Sequence, residues 1–168
     1  MGMRGIKLIP QKIRSYFRTA CQKTEGNNTL IKGILTCCSS HEFEVRVAGD
    51  IKCGLFAEMY LLPIDDKIVL EVCCKKCGKV ISVFDSDHDG YGHCETKCDK
   101  KILTKPFVCK NCADNTFSVE LKYEYPDLQE LADLGITEMD NVFTWIWITL
   151  VCNKCGKKHR NFLNYETA

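Results

Sequence analysis

Thirteen of the 168 residues are cysteine, and eight of them fall into pairs whose spacing suits a metal ion. Cys109-Lys110-Asn111-Cys112 and Cys152-Asn153-Lys154-Cys155-Gly156 are two CxxC units. Zinc takes four soft or borderline ligands at tetrahedral corners, with Zn–S bonds of about 2.3 Å, and two intervening residues let one tight turn aim both sulfurs at one ion. Gly156 supplies a residue that takes a positive φ at no steric cost, which closes such a turn. The first half of the chain repeats the plan. Cys74-Lys75-Lys76-Cys77-Gly78-Lys79 shares the Cys-x-Lys-Cys-Gly-Lys core with Cys152–Lys157, and its upstream partner is Cys37-Cys38. Adjacent cysteines strain a shared chelate, so His41, three residues after Cys38, stands as an alternative ligand in a CxxH knuckle. The expectation is two structural Zn2+ ions, one held by Cys37, Cys38, Cys74 and Cys77, the other by Cys109, Cys112, Cys152 and Cys155.

The elements that must carry these pairs are strands. After Cys112 the chain places Phe117, Val119, Leu121, Tyr123 and Tyr125 at alternate positions; before Cys152 it places Phe143, Trp145, Trp147, Thr149 and Val151 likewise. Period-two alternation of β-formers predicts one strand leaving the first knuckle and another returning to the second. Between them Pro126–Leu134 predicts a short helix, with Leu128, Leu131 and Leu134 on one side and Gly135 as its stop. In the first half Phe43, Val45 and Val47 lead out, Ile68, Leu70 and Val72 lead in, and Val80, Ile81 and Val83 follow. The order knuckle, strand, return strand, knuckle, strand thus occurs twice, which predicts tandem ribbons. The 39 residues between Cys112 and Cys152 exceed the compact zinc pattern, and the strands account for the excess.

From Pro10 to about Lys23 the positions Ile13, Tyr16, Phe17, Ala20 and Cys21 fit a helical face, with Lys12, Arg14 and Arg18 largely off it; Gln22–Asn28 reads as a linker. The predicted class is mainly β with small α elements: an N-terminal amphipathic helix and two tandem zinc-ribbon-like lobes, the second with a helical insertion. The expected divisions are 1–28 for the basic helix and linker, 29–100 for the first lobe and 101–168 for the second.

On these residues the chain resembles a set of uncharacterised bacterial tandem zinc-ribbon proteins over roughly 30–168. The resemblance rests on Ser40-His41-Glu42-Phe43, on Cys74–Gly78 followed by Val83-Phe84-Asp85-Ser86, on Cys109–Cys112, and on Cys152–Lys157 with Phe162–Ala168. It implies a small cytoplasmic metal-binding fold and brings no established activity. Where such a relative has Cys-x-x-Cys or Cys-x-Cys, this chain has Cys37-Cys38.

Charge narrows the classes of function. The formal net charge is +1, which excludes a uniformly basic nucleic-acid binder but leaves room for a local patch. Residues 1–35 carry seven basic side chains against Glu25, and 154–160 add Lys154, Lys157, Lys158 and Arg160; the stretch 124–140 carries six acids and no base. No apolar run approaches the roughly 18 residues of a membrane-spanning helix. The opening residues are too short for a signal core, and Ile6 stands where a myristoylation signal wants Ser or Thr. An odd cysteine count without a leader points to a reducing, cytoplasmic setting.

Asp85-Ser86-Asp87-His88-Asp89-Gly90 matches the first half of an EF-hand loop, but the twelfth position is Thr96, Glu95 is one early and a strand precedes the loop, so a polar turn explains it as well. His88, His93, Cys94 and Cys98 are candidates for a further metal. Cys21, Cys53 and Cys73 read as small buried apolar residues. For catalysis only Asp87, His88 and His93 present themselves, and CxxC units that end strands in pairs do not suit a dithiol oxidoreductase. The expectation is a non-catalytic zinc protein with a protein partner or self-association, and nucleic-acid binding as the alternative.

Overall fold

The computed structural model describes residues 7–91 and 102–167. It is mainly β, in the order α1 (Gln11–Arg14), β1 (Phe17–Glu25), β2 (Asn28–Leu35), β3 (Phe43–Ala48), β4 (Asp50–Cys53), β5 (Met59–Leu62), β6 (Val69–Cys74), β7 (Val80–Asp85), β8 (Lys105–Pro106), β9 (Phe117–Tyr125), α2 (Leu128–Asp133), β10 (Trp145–Cys152) and β11 (Lys158–Glu166). The period-two segments form strands as expected, and β9 alternates buried and half-buried residues along its whole length. The insertion is helical too: the Asp127 side chain caps α2 by accepting from the N–H groups of Gln129 and Glu130. Gly135 then leaves the helix at φ 82°. Leu131 is buried, whereas Leu134 stays exposed.

The N-terminal helix is a correction. It ends after one turn at Arg14, and Phe17–Glu25 is a strand paired antiparallel with β2, from Phe17 opposite Leu35 to Glu25 opposite Asn28. The expected linker Gln22–Asn28 is mostly strand, and only Gly26 and Asn27 form the hairpin's turn, with Gly26 at φ 61°. Pairing wins because the sheet edge satisfies β1's backbone donors and acceptors. A helix there would have needed a second apolar surface, and beyond the half-buried Phe17 the strand is exposed.

Nine strands form one antiparallel sheet that reads as two parts. One runs β1-β2-β9-β10-β11, the other β8-β3-β6-β7, and β3 meets β9 at the pair Phe43 and Phe117. Phe43 and Phe117 are equivalent residues, each five positions after the second cysteine of its upstream pair. The flanking register repeats as well. In β2, Gly33 and Ile34 lie opposite Leu121 and Glu120 of β9, while in the second half Lys105 and Pro106 of β8 lie opposite Val47 and Arg46 of β3. Each half therefore lends the strand that enters its cysteine pair to the knuckle strand of the other half, about a local two-fold axis at Phe43 and Phe117. Hydrogen bonds cross both chain boundaries placed at 28/29 and 100/101.

The buried aromatics fill one core drawn from both halves, including Phe43, Phe84, Phe107, Phe117, Phe143 and Phe162. Phe107 stacks on Phe117 at 5.1 Å and packs on Phe162 at 4.7 Å. No helix among the described residues is long and apolar enough to cross a membrane.

Candidate metal centres

Three turns of one design present six of the eight paired cysteines. In each, the cysteine N–H donates to the carbonyl five residues on, and the residue four after it donates back to the cysteine carbonyl. These bonds join Cys74 to Lys79 and Gly78, Cys109 to Asp114 and Ala113, and Cys152 to Lys157 and Gly156, all at 2.7–2.9 Å. The residue that donates back is left-handed each time, with φ 76° at Gly78, 62° at Ala113 and 75° at Gly156. Two of the turns are anchored alike on the residue that precedes a strand of their own half: Lys75 donates to the Glu42 carbonyl and Asn153 to that of Thr116, both at 3.0 Å.

The fourth turn differs. Cys37 and Ser40 exchange both backbone hydrogen bonds at 2.8 Å, and Cys38 and Ser39 between them take φ 53° and 59°. This left-handed pair folds the chain back so tightly that neighbouring cysteines turn their sulfurs to the same side, with Cys37 Sγ 3.7 Å from Cys38 Sγ. The strain expected of adjacent ligands is thus taken up by the backbone. His41 is exposed and stands outside the group.

The sulfurs gather as two sets of four, Cys37, Cys38, Cys74 and Cys77 in one and Cys109, Cys112, Cys152 and Cys155 in the other, each set lying within 4.8 Å of one another. Cys37 to Cys77 is 3.6 Å, Cys109 to Cys155 3.7 Å and Cys112 to Cys152 3.5 Å. A disulfide would bring two sulfurs to about 2.05 Å. The edge of a tetrahedron with 2.3 Å metal–sulfur bonds is about 3.8 Å, which these separations approach. Two four-cysteine groups able to hold metal ions are therefore present.

Electrostatics within each set favour a cation. Burial, then the neighbouring sulfurs, push the Cys37 thiol up to about 12, and burial pushes Cys109 to about 12 as well. At the exposed rim the Lys79 backbone N–H, with the Cys38 and Cys37 thiols, draws Cys77 down to about 7. The Asn111 side chain and the Lys157 backbone N–H draw Cys155 to about 6. Each set thus joins a rim sulfur whose thiolate is favoured by hydrogen bonds to a buried sulfur whose thiolate is disfavoured by burial.

His159 was not marked by the sequence and lies beside the second set. It is buried; its Nδ1 accepts from the Met59 N–H at 3.1 Å, and its Nε2 stands 3.9 Å from Cys109 Sγ. Since Nδ1 is the acceptor, the neutral ring carries its proton on Nε2, toward the thiol. The β4–β5 hairpin is held to this half by that bond and by Lys157 Nζ on the Phe56 carbonyl at 3.0 Å.

Among the described residues the remaining motifs do not assemble into sites. In the acidic loop Lys67 pairs with both Asp85, at 2.7 Å, and Asp87, and Lys12 pairs with Asp89, so each of the three carboxylates is engaged by a lysine. Cys21 and Cys53 are exposed and Cys73 is half-buried, which corrects their reading as core residues. His93, Cys94, Glu95, Thr96 and Cys98 lie outside the described residues. Comparison of the chain with protein-family models, with curated proteins and with solved structures finds no match.

Proposed function

We propose that this chain is a non-catalytic interaction protein whose two zinc-ribbon-like halves are each organised around a structural Zn2+ ion. The observation that supports it is the pair of four-sulfur sets with separations suited to tetrahedral zinc. Four protein thiols close the coordination sphere, whereas catalytic zinc keeps a position open for water or substrate. Zinc also supplies stability that small β-lobes gain with difficulty from apolar burial alone. Thiol sets of this kind persist where the surroundings are reducing, in keeping with a cytoplasmic setting. A protein partner, a second copy of the chain and a nucleic acid are the candidate partners, and the choice among them lies with the surfaces outside the metal centres.

The test is elemental analysis of folded protein prepared in reducing buffer, with about two zinc ions per chain expected, one for each four-cysteine set. Less than one equivalent in well-folded protein would overturn the reading. One equivalent that survives Cys37→Ser but is lost in Cys152→Ser would restrict it to the second half.

A further inference from the structure

The sheet β1-β2-β9-β10-β11 turns one face to the core. The other face is built from the alternate residues and carries cations and indoles side by side. Lys32 of β2 lies opposite Lys122 of β9, and Lys122 lies opposite Trp147 of β10. Like charges directly opposite across strands destabilise a sheet, and none of the ion pairs among the described residues involves Lys32, Lys122 or Arg160. Lys122 Nζ instead sits 4.8 Å over the Trp147 ring. At the far strand the register of β11 shifts between Ile148 and Leu150 of β10, and Asn161, at φ 52°, donates to Thr149 Oγ1. That irregularity brings Arg160 and Lys158 to the rim of a shallow groove of about 230 Å³ that Lys32, Lys122, Trp147 and Glu120 also line. Glu120 is the acid on this groove, and it answers Lys158 at 3.5 Å.

Beside the groove Trp145 and Trp147 lie parallel, 5° between planes and 5.4 Å between centroids, both half-buried. The Trp145 indole N–H donates to Asn164 Oδ1 at 2.6 Å, which fixes its ring against the sheet. Parallel aromatic faces next to Lys32 and Arg160, which make no ion pair among the described residues, match a ligand that carries flat π-systems on a polyanionic backbone.

We infer that this face binds single-stranded nucleic acid, with phosphates on Lys32, Lys122 and Arg160 and unpaired bases against the Trp145–Trp147 platform. A duplex hides its bases in its own stack, whereas a single strand offers them to aromatic side chains. An acidic protein would answer the cations and leave the indoles unused. Of the acids of 124–140, which argue against a polyanion when read along the chain, Glu124 stands on this face opposite Trp145, and the others follow beyond the end of β9. Three strand residues, about 10 Å, separate Lys122 from the end of β9, and α2 with its carboxylates follows beyond that point. That distance exceeds the screening length of about 8 Å at physiological ionic strength. Glu124 and Glu166 lie opposite Trp145 on its two sides, and Glu124 accepts a hydrogen bond from Asn28 at 2.8 Å. The inference rests on the interaction-protein reading above and names its partner.

The chain's two tryptophans are both in this platform, so intrinsic fluorescence reports on it directly. The experiment titrates the metal-analysed protein with oligouridylate and oligothymidylate of about 12 nucleotides, and with a duplex of the same length. Quenching by the single strands in the low-micromolar range near physiological salt is expected, with the duplex at least ten-fold weaker. Trp147→Ala should weaken single-strand affinity about ten-fold. Lys32 and Arg160 are exposed, and the double substitution Lys32→Gln/Arg160→Gln should flatten the salt slope by about 1.4, or about 0.7 per phosphate contact. Absence of quenching, equal affinity for duplex, or affinity indifferent to Trp147→Ala overturns the inference. Equal displacement by polyglutamate would assign the face to an acidic protein, and self-association lost in the double variant would assign it to a second copy. Zinc content measured on the same samples separates failure here from failure of the metal reading.

Discussion

Ala113 occupies a left-handed position that its two structural equivalents fill with glycine. All three residues donate to the carbonyl of the cysteine four positions back, at 2.7 Å for Ala113, 2.8 Å for Gly78 and 2.9 Å for Gly156. A Cβ built at Gly78 or Gly156 meets nothing within 4 Å, so a substitution there acts through the backbone and not through packing. A left-handed conformation costs an L-residue roughly 1–2 kcal/mol. Replacing glycine by alanine returns about 0.4–1 kcal/mol by restricting the unfolded chain. Gly156→Ala and Gly78→Ala should therefore each destabilise by about 1 kcal/mol, and Ala113→Gly should stabilise by about the same amount. Urea unfolding at a buffered free-zinc concentration measures all three, the midpoints moving in opposite directions. A destabilising Ala113→Gly would refute the argument, since it would mean that the methyl group, not the φ angle, matters at that turn. A neutral Gly156→Ala would refute it equally.

Cys152→Ser should abolish metal binding in the second half and unfold it, because structural zinc contributes on the order of 10 kcal/mol in small domains. Cys53→Ser, at an exposed site, should stay within about 0.5 kcal/mol of the parent; comparable losses in thermal melts would mean the ligand assignment is wrong. The Lys67 cluster makes a pH-dependent prediction. Burial opposes the charge on both Lys67 and Asp85, but their contact outweighs it, holding Lys67 above and Asp85 below their ordinary values. A depressed carboxylate stabilises above its unfolded pKa of about 4, and a raised amine stabilises below its unfolded pKa of about 10. The stability difference between the parent and Lys67→Met, about 2 kcal/mol, should thus be flat from about pH 6 to pH 9. It should narrow only as the carboxylates protonate in acid or the amine deprotonates in alkali; a slope inside the neutral window would exclude the pair as its source.

Local pattern sufficed wherever a residue's role depends on near neighbours. Strands β3, β6 and β9 were legible because each buries the alternate residues that the sequence marks. In β10, by contrast, the marked Trp145, Trp147, Thr149 and Val151 lie half-buried on the outer face, and the intervening Ile146, Ile148, Leu150 and Cys152 are buried. Helix α2 announced itself through its leucine spacing and its stop at Gly135. The knuckles at Cys74 and Cys152 were legible through the following glycine. The turn at Cys109 closes with alanine, and the one at Cys37 by two consecutive left-handed residues that no glycine marks.

Features that depend on partners remote in sequence were decided by the tertiary structure. The helical apolar period read from Pro10 to about Lys23 gives way to an edge strand over Phe17–Glu25 because β2 offers a backbone ladder, and pairing energy exceeds a propensity spread over so few residues. His159 lies beside the second centre with a tautomer set by the Met59 N–H of the β4–β5 hairpin, about 100 residues upstream. The exchange of entering strands between halves, and the row of Lys32, Lys122 and Trp147 across three strands, are facts of register. Spacing within the chain determined that four-cysteine groups would form and which turns would present them. Register between distant strands determined which half each strand joins and which side chains share the outer face, because sheet pairing juxtaposes residues without regard to their separation in sequence.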